Sequence, residues 1–402
     1  MHSLANRTMK IKFHTLFIQE IINCFGFFAP LSLLAIFLNI YNHIPSADVA
    51  VAMLVGSLTS RWGRILFAPL LNRLSVNLLI SAFQFLGAVG YIILAYGHNF
   101  TIILLAMFCI GLFYGNNSLI NSVLVTAVKT DNAKINEKFA ALHVATNLAA
   151  GLGPVIVSMI YYSIGGIIAF YFMALMLFIS SIYSFFTMKG VGLPKQESWF
   201  ATLYKLFMNK QLWGIYLLII ISWFSYAQLF SLAPLIIAEQ LHLSNYVWIV
   251  AATNSCVIIL FSVLLHKTCN RLSNNIYFPI FLSFIFAIAG FICLSYAHII
   301  VTVILGIILI SFAELMFIPG FSAILSTVVD QSSKTAIFAI NALCVGIGEG
   351  MGYYYGVNVG FSTHIISNHM NYFIFIIQFL GILILLGFYK PFASAKKGTK
   401  YV

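Results

Sequence analysis

The chain has 402 residues, 62% of them hydrophobic and only 7% charged. A water-facing surface needs far more charge, so composition excludes a soluble globular protein and predicts an integral membrane protein. The formal net charge of +11 does not indicate nucleic acid, because the basic residues sit in short runs between apolar segments and build no basic face.

Arg7, Lys10 and Lys12 precede the first apolar run. That run outlasts a signal-peptide core and lacks a small-residue cleavage site, so it reads as a retained first span. A span needs roughly 20 apolar residues. Twelve are expected, at about 13–40, 48–71, 77–97, 101–124, 138–161, 164–187, 211–238, 245–266, 276–297, 299–326, 336–358 and 370–389. Lysine and arginine test this count. Apart from Arg61 and Arg64, every one lies at a terminus or in the loops after even-numbered spans, and the alternate loops hold none. The bias places both termini in the cytoplasm. The expected location is the plasma membrane, the inner membrane of a bacterium. Cys24, Cys109, Cys256, Cys269, Cys293 and Cys344 fall within spans or at a span end and behave as small hydrophobes, with no disulfide framework.

The sequence repeats itself. Asn72-Arg73-Leu74-Ser75 returns as Asn270-Arg271-Leu272-Ser273, each read as a polar turn after an apolar helix. Gly90 to His98 matches Gly290 to His298, and Phe139-Ala140 matches Phe338-Ala339. Offsets near 200 residues split the chain into two six-span halves of one orientation. The expected organisation is residues 1–187, a cytoplasmic linker at 188–210, and residues 211–402. The fold class is all-α: twelve transmembrane helices in two parallel repeats. Such repeats enclose a central cavity and work by rocking against each other.

Twelve spans, two parallel halves and a repeated basic turn resemble the major facilitator superfamily. Its turn motif, Gly-x-Leu-x-Asp-Arg-x-Gly-Arg-Arg, falls on Ala68 to Asn77, with Leu70 and Arg73 kept and Asn72 in place of the acid. The resemblance implies that Asn72 and Arg73, with Asn270 and Arg271, latch the cytoplasmic face between conformational states.

Charges at bilayer depth cost about 2.5–3.5 kcal/mol each on insertion scales and mark function. Five stand out: Glu20 in span 1, Arg61 and Arg64 in span 2, Glu314 in span 10 and Glu349 in span 11. The repeat puts Ile219 opposite Glu20, Ile259 and Ser262 opposite the arginines, and Ala150 opposite Glu349. The fold therefore does not require these charges. A carboxylate that meets arginine in one state and substrate or water in the other can load and release a proton. Glu20, Glu314 and Glu349 are accordingly the expected proton-coupling residues. Arg61 and Arg64 would modulate them, hold an anionic substrate group, or neutralise Glu20 as a packing pair.

Asn116, Asn117 and Asn121 in span 4, Asn147 in span 5 and Gln228 in span 7 are expected on the cavity, with interhelical hydrogen bonds as their other use. Phe25, Phe27 and Phe28 line a greasy pocket or face lipid. His143 reads as a structural histidine. The glycine-dense stretch around Glu349 looks like a dinucleotide fingerprint, but no strand precedes it, so close helix packing explains it.

Span 5 carries Gly153-Pro154, expected to kink the helix. With Ala140, Ala149, Val157 and Ser158 it resembles a worn form of the span-5 motif of drug:proton antiporters. Span 1, Glu20-Ile-Ile-Asn23-Cys24-Phe25-Gly26-Phe27-Phe28, is similar to the Glu-x-x-Glu-Arg-Phe-x-Tyr-Tyr motif of proton-coupled oligopeptide transporters. Ala313-Glu314-Leu315 before Pro319-Gly320 resembles that family's span 10, whose glutamate contacts the peptide amino group; the family's span-4 lysine is absent here. These resemblances imply a monomeric proton-coupled secondary transporter in lipid. Its expected task is efflux of a small organic or drug-like compound by proton antiport. Uptake of a peptide, amino acid or other metabolite is the alternative, and a non-transporting receptor a remote one. No metal cluster, nucleophile constellation or phosphate loop is apparent, so neither an enzyme, a metal site nor a cofactor other than the coupling proton is expected.

Overall fold

The computed structural model describes residues 13–67, 74–127, 132–188, 200–272, 275–329, 333–361 and 368–394. Every regular element among them is helical. Two compact units divide the chain between Glu197 and Ser198.

In the first unit, α1 (Phe13–Phe28), α2 (Leu31–Ile36) and a π-helical turn (Phe37–Tyr41) form the first span. Then come α3 (Ser46–Phe67), α4 (Val76–Tyr96), α5 (Phe100–Ala127), α6 (Asn132–Ser163) and α7 (Gly166–Thr187). In the second unit a short helix, α8 (Phe200–Phe207), precedes the seventh span. That span comprises α9 (Trp213–Ala227), α10 (Leu232–Leu235) and a second π-helical turn (Ile236–Gln240). The rest are α11 (Trp248–Leu272), α12 (Phe278–Ser295), α13 (Ile300–Val328), α14 (Lys334–Phe361) and α15 (Asn368–Ser394). Among the described residues, ten spans are long and apolar enough to cross a bilayer. Helix α3, which carries Arg61 and Arg64, and α15 bring the number to twelve.

Large apolar side chains such as Leu66, Met159, Phe186, Leu260 and Phe379 lie exposed on the helix flanks. In water this would drive aggregation; in a bilayer it is the surface that meets lipid.

The first span of each unit is not one continuous helix. Pro30 has no N–H to donate, and the chain turns at Ala29-Pro30 before α2 resumes. In the second unit the break spans Gln228 to Ser231. There Gln228, Leu229 and Phe230 donate to carbonyls three residues back, at 3.2, 3.0 and 3.1 Å, a local tightening to 3₁₀ geometry. Each span then ends in a π turn followed by a histidine in the left-handed region, His43 at φ 55° and His242 at φ 54°. The duplication read from sequence is thus repeated in backbone detail. Gly90 of α4 lets α5 approach within 3.0 Å of its Cβ position, at the Ala106 carbonyl. Gly290 of α12 does the same for α13, at 2.9 Å from the Gly306 carbonyl. Glycine at both places lets the helix backbones pack closely.

The repeated polar turn is corrected in one half. Asn270 and Arg271 belong to the last turn of α11, which runs on to Leu272. Polar residues at a span end can stay helical once they leave hydrocarbon, because water can satisfy the terminal carbonyls. The chain turns later, where the Asn275 side chain accepts from the Tyr277 N–H at 2.9 Å. Asn72 and Arg73 lie outside the described residues, as does Cys269's side chain. The other five cysteines are free thiols.

Candidate functional site

Each unit holds one buried carboxylate at the centre of a polar cluster. In the first unit it is Glu20 of α1. Asn121 of α5 donates to Glu20 Oε2 at 2.8 Å. Thr146 of α6 donates to Oε1 at 3.2 Å, and Cys24, one turn along α1, offers its thiol at 3.4 Å. These donors are all neutral. One further turn along, Phe27 stacks on Tyr114 of α5 with centroids 3.9 Å apart, and Phe28 meets the same ring edge-on at 5.5 Å. Arg61 and Arg64 of α3 are half-buried and both act electrostatically on the Tyr114 hydroxyl. Arg64 also acts on Cys24, and its Nε donates to the Ser60 carbonyl at 3.2 Å. The structure therefore gathers Phe27 and Phe28 around Tyr114, and Asn121, Thr146 and Cys24 around Glu20.

The remaining candidates of this unit are placed differently. Asn116 donates to Leu112 O in its own helix at 2.9 Å. Asn117 is fully buried, and among the described residues neither end of its amide has a hydrogen-bond partner. Asn147 is buried in α6. The side chain of His143 lies outside the described residues. Gly153 and Pro154 sit inside α6, which is unbroken from Asn132 to Ser163. A Cβ on Gly153 would lie 2.8 Å from Ala29 Cβ, so its smallness serves contact with the first span.

A second network in this unit went unread in the sequence. Gln84 Nε2 of α4 lies 2.7 Å from Gln19 Oε1, 2.8 Å from Asn23 Oδ1 and 2.8 Å from Ser180 Oγ, three acceptors that share its two N–H protons. Ser184 donates to Gln84 Oε1 at 2.6 Å. Gln19 and Gln84 are wholly buried. Two glutamines and two serines at depth were the available signal. Their convergence from α1, α4 and α7 is tertiary information.

In the second unit the carboxylate is Glu314 of α13. Asn254 of α11 donates to Glu314 Oε2 at 2.7 Å and to Ser311 Oγ at 3.0 Å. The Tyr226 side chain of α9 is also hydrogen-bonded to Glu314. Aromatic rings cluster around Tyr226. Trp223 lies 5.2 Å from Tyr226 and 5.6 Å from Phe317, centroid to centroid, and Tyr226 lies 5.6 Å from Phe230. The spacings follow from helical periodicity, with Trp223 and Tyr226 three apart on α9, and Glu314 and Phe317 three apart on α13. Asn254, Trp223 and Tyr226 were missed in the sequence because a lone amide or aromatic in an apolar span is common. Glu349 is separate: it is buried in α14 and accepts from Tyr353 OH at 3.3 Å. Gln228 ties its own helix end to α14, donating to Phe224 O and Gly352 O, each at 3.0 Å. It therefore acts as an interhelical clamp.

No group of three or more His, Cys, Asp or Glu that could hold a metal occurs among the described residues. Bundles of long apolar helices with apolar outer flanks are those of an integral membrane protein. The sequence profile of the Major Facilitator Superfamily matches residues 16–353, and the chain belongs to that superfamily. No curated protein sequence matches it. Solved structures with the same fold include a POT family transporter in complex with a thioalcohol-conjugated peptide. It is 14% identical, with a TM-score of 0.79, and 96% of each chain is covered. Another is a POT family transporter in complex with 5-aminolevulinic acid, 14% identical, with a TM-score of 0.75 over 93% of this chain and 94% of that one. The nucleoside transporter NupG is also 14% identical, with a TM-score of 0.71 over 94% of this chain and 98% of NupG. At such identity the likeness concerns the fold alone.

Proposed function

We propose that this transporter is proton-coupled and exports a small organic, amphipathic compound with a cationic centre. The carrying observation is Glu314, held by Asn254 and Tyr226 beside the rings of Trp223, Phe230 and Phe317. Aromatic faces and a carboxylate together suit an organic cation. One carboxylate can hold a proton or balance a cation, but not both. Competition for that single group makes exchange of one for the other, antiport, the simplest coupling. Glu20, with its three neutral donors, would be a second protonation site, and Arg61 and Arg64 would tune it through Tyr114. Glu349 would be a third.

The test is transport in proteoliposomes under an imposed pH gradient. Glu314→Gln keeps the hydrogen-bonding shape and removes the titratable group, and it is expected to abolish gradient-driven flux. Full activity in that variant would remove Glu314 from the coupling.

A second reading is uptake of a peptide, amino acid or similar metabolite. The fold's likeness to transporters bound to a peptide conjugate and to 5-aminolevulinic acid favours it. In that reading Glu314 meets the substrate's amino group. The same vesicles discriminate the two: acidifying the outside drives accumulation of an uptake substrate, whereas an antiported compound leaves as protons enter.

A further inference from the structure

At eight residues, α8 is too short to span a bilayer. It packs on α14, and Leu203 and Leu206, three apart on one face, are buried. A second face is apolar and exposed: Tyr204 is 66% exposed, Phe207 44% and, directly after the helix, Met208 52%. Spacings of three and four put these side chains in one stripe. Lys205 lies about 100° further round the helix from Tyr204. It is exposed, as is Lys210 just beyond the helix.

The stripe continues onto the seventh span. Trp213 opens α9 with its ring 6.1 Å from that of Phe207, centroid to centroid, and is itself 49% exposed. Leu217, one turn along α9, is exposed on the same face and belongs to the apolar flank that meets lipid. Apolar surface therefore runs from the flank of the seventh span out along α8.

The end of α8 is built to need little water. The last four carbonyls of a helix lack partners within it. Here Trp213 Nε1 donates to Phe207 O at 2.9 Å, and the Tyr216 hydroxyl donates to Leu206 O at 3.2 Å. The Met208 N–H closes on Tyr204 O at 3.0 Å. The charge of this region has one sign. No aspartate or glutamate occurs from Ser198 to Ala238, a stretch that holds Lys205 and Lys210. The distribution of lysine and arginine puts this linker on the expected cytoplasmic side, where the leaflet carries anionic lipid.

We propose that α8 lies in the headgroup layer of that leaflet. Tyr204, Phe207 and Met208 enter the boundary with the acyl chains beside Trp213, and Lys205 and Lys210 engage anionic phosphates. Tyrosine and tryptophan suit that depth, being apolar in body and polar at the tip. Held by α9 and α14, the helix fixes the second unit's end of the linker at the membrane surface. In water the same stripe would be a contiguous exposed apolar patch. A soluble protein would have to occupy the plane into which the flank of Leu217 already leads lipid.

The experiment uses the full-length protein in vesicles of phosphatidylcholine mixed with phosphatidylglycerol. A small fluorescent amino acid replaces Tyr204, an exposed position. Its emission is read against iodide on both faces of the vesicle, and against lipid bearing a nitroxide at the top of the acyl chain. The expected result is strong quenching by the lipid, with iodide quenching several-fold weaker than for the free fluorophore. Iodide quenching equal to that of the free fluorophore would mean that α8 faces water, and would overturn the proposal. Protection from both quenchers would mean that protein covers the face, and would overturn it equally. Lys205→Gln combined with Lys210→Gln tests the headgroup contact. Iodide quenching should rise about twofold in that variant, and likewise in vesicles of phosphatidylcholine alone, because each lysine adds attraction to an anionic surface. If neither change alters the quenching, the assignment to anionic lipid falls.

Discussion

At the scale of single residues, the buried carboxylates Glu20 and Glu314 differ in what surrounds them. Glu20 is met by an amide, a hydroxyl and a thiol, and Glu314 by an amide and a phenol. Asn254 therefore acts through Glu314. Asn254→Leu leaves a buried carboxyl oxygen short of a donor worth about 1–3 kcal/mol. Gradient-driven transport is expected to fall by about tenfold, with the protein still inserted; an unchanged rate would remove Asn254 from the site. Arg61 was legible as an oddity, a guanidinium in an apolar helix whose repeat counterpart is isoleucine. Its electrostatic reach to Tyr114 was not, because nothing in the spacing of α3 specifies which part of α5 it faces. Arg61→Ala is expected to insert and fold but lose transport. A lowered melting temperature with transport intact would mark it as packing.

At the scale of helices, close contact depends on small residues where backbones touch. A Cβ on Gly115 of α5 would lie 2.2 Å from the Ser60 carbonyl of α3. Gly115→Ala must push the two helices apart, and overpacking of this kind costs about 1–3 kcal/mol. A lower melting temperature in detergent checks it, and Gly115→Leu should fail to yield folded protein. Gln84 works the other way, joining α1, α4 and α7 through its amide. Gln84→Leu would strand the polar atoms of Asn23, Ser180 and Ser184 and lower stability by about 1–3 kcal/mol. Helix existence was readable from apolar run length. The breaks in α1–α2 and α9–α10 were not, since only the first has a proline at the break and the second depends on a local tightening of backbone bonds.

At the scale of the whole molecule, the distribution of lysine and arginine makes a topological prediction. Both termini should lie on the cytoplasmic side. A fluorescent protein fused after Val402 should fluoresce, and alkaline phosphatase fused there should be inactive. Active phosphatase at that position would overturn the orientation. Duplication was legible for a related reason: Gly90 to His98 and Gly290 to His298 share five of nine residues, and both halves use the shared glycine at the same close helix contact. The substrate was not legible, because a transport site is an arrangement of isolated polar residues from several spans.

The sequence alone determined that this is a twelve-span, internally duplicated membrane protein, because bilayer thickness fixes span length and positive charge resists transfer. It also picked out Glu20, Glu314 and Arg61, because a charge in hydrocarbon is too costly to keep without a use. Only the tertiary structure decided their company. Asn121 and Thr146 gather on Glu20, Asn254 and Tyr226 on Glu314, and Gln84 on Gln19 and Asn23. Such partners lie tens to hundreds of residues apart, and their meeting is set by which helix faces pack together. No local pattern in the chain encodes that.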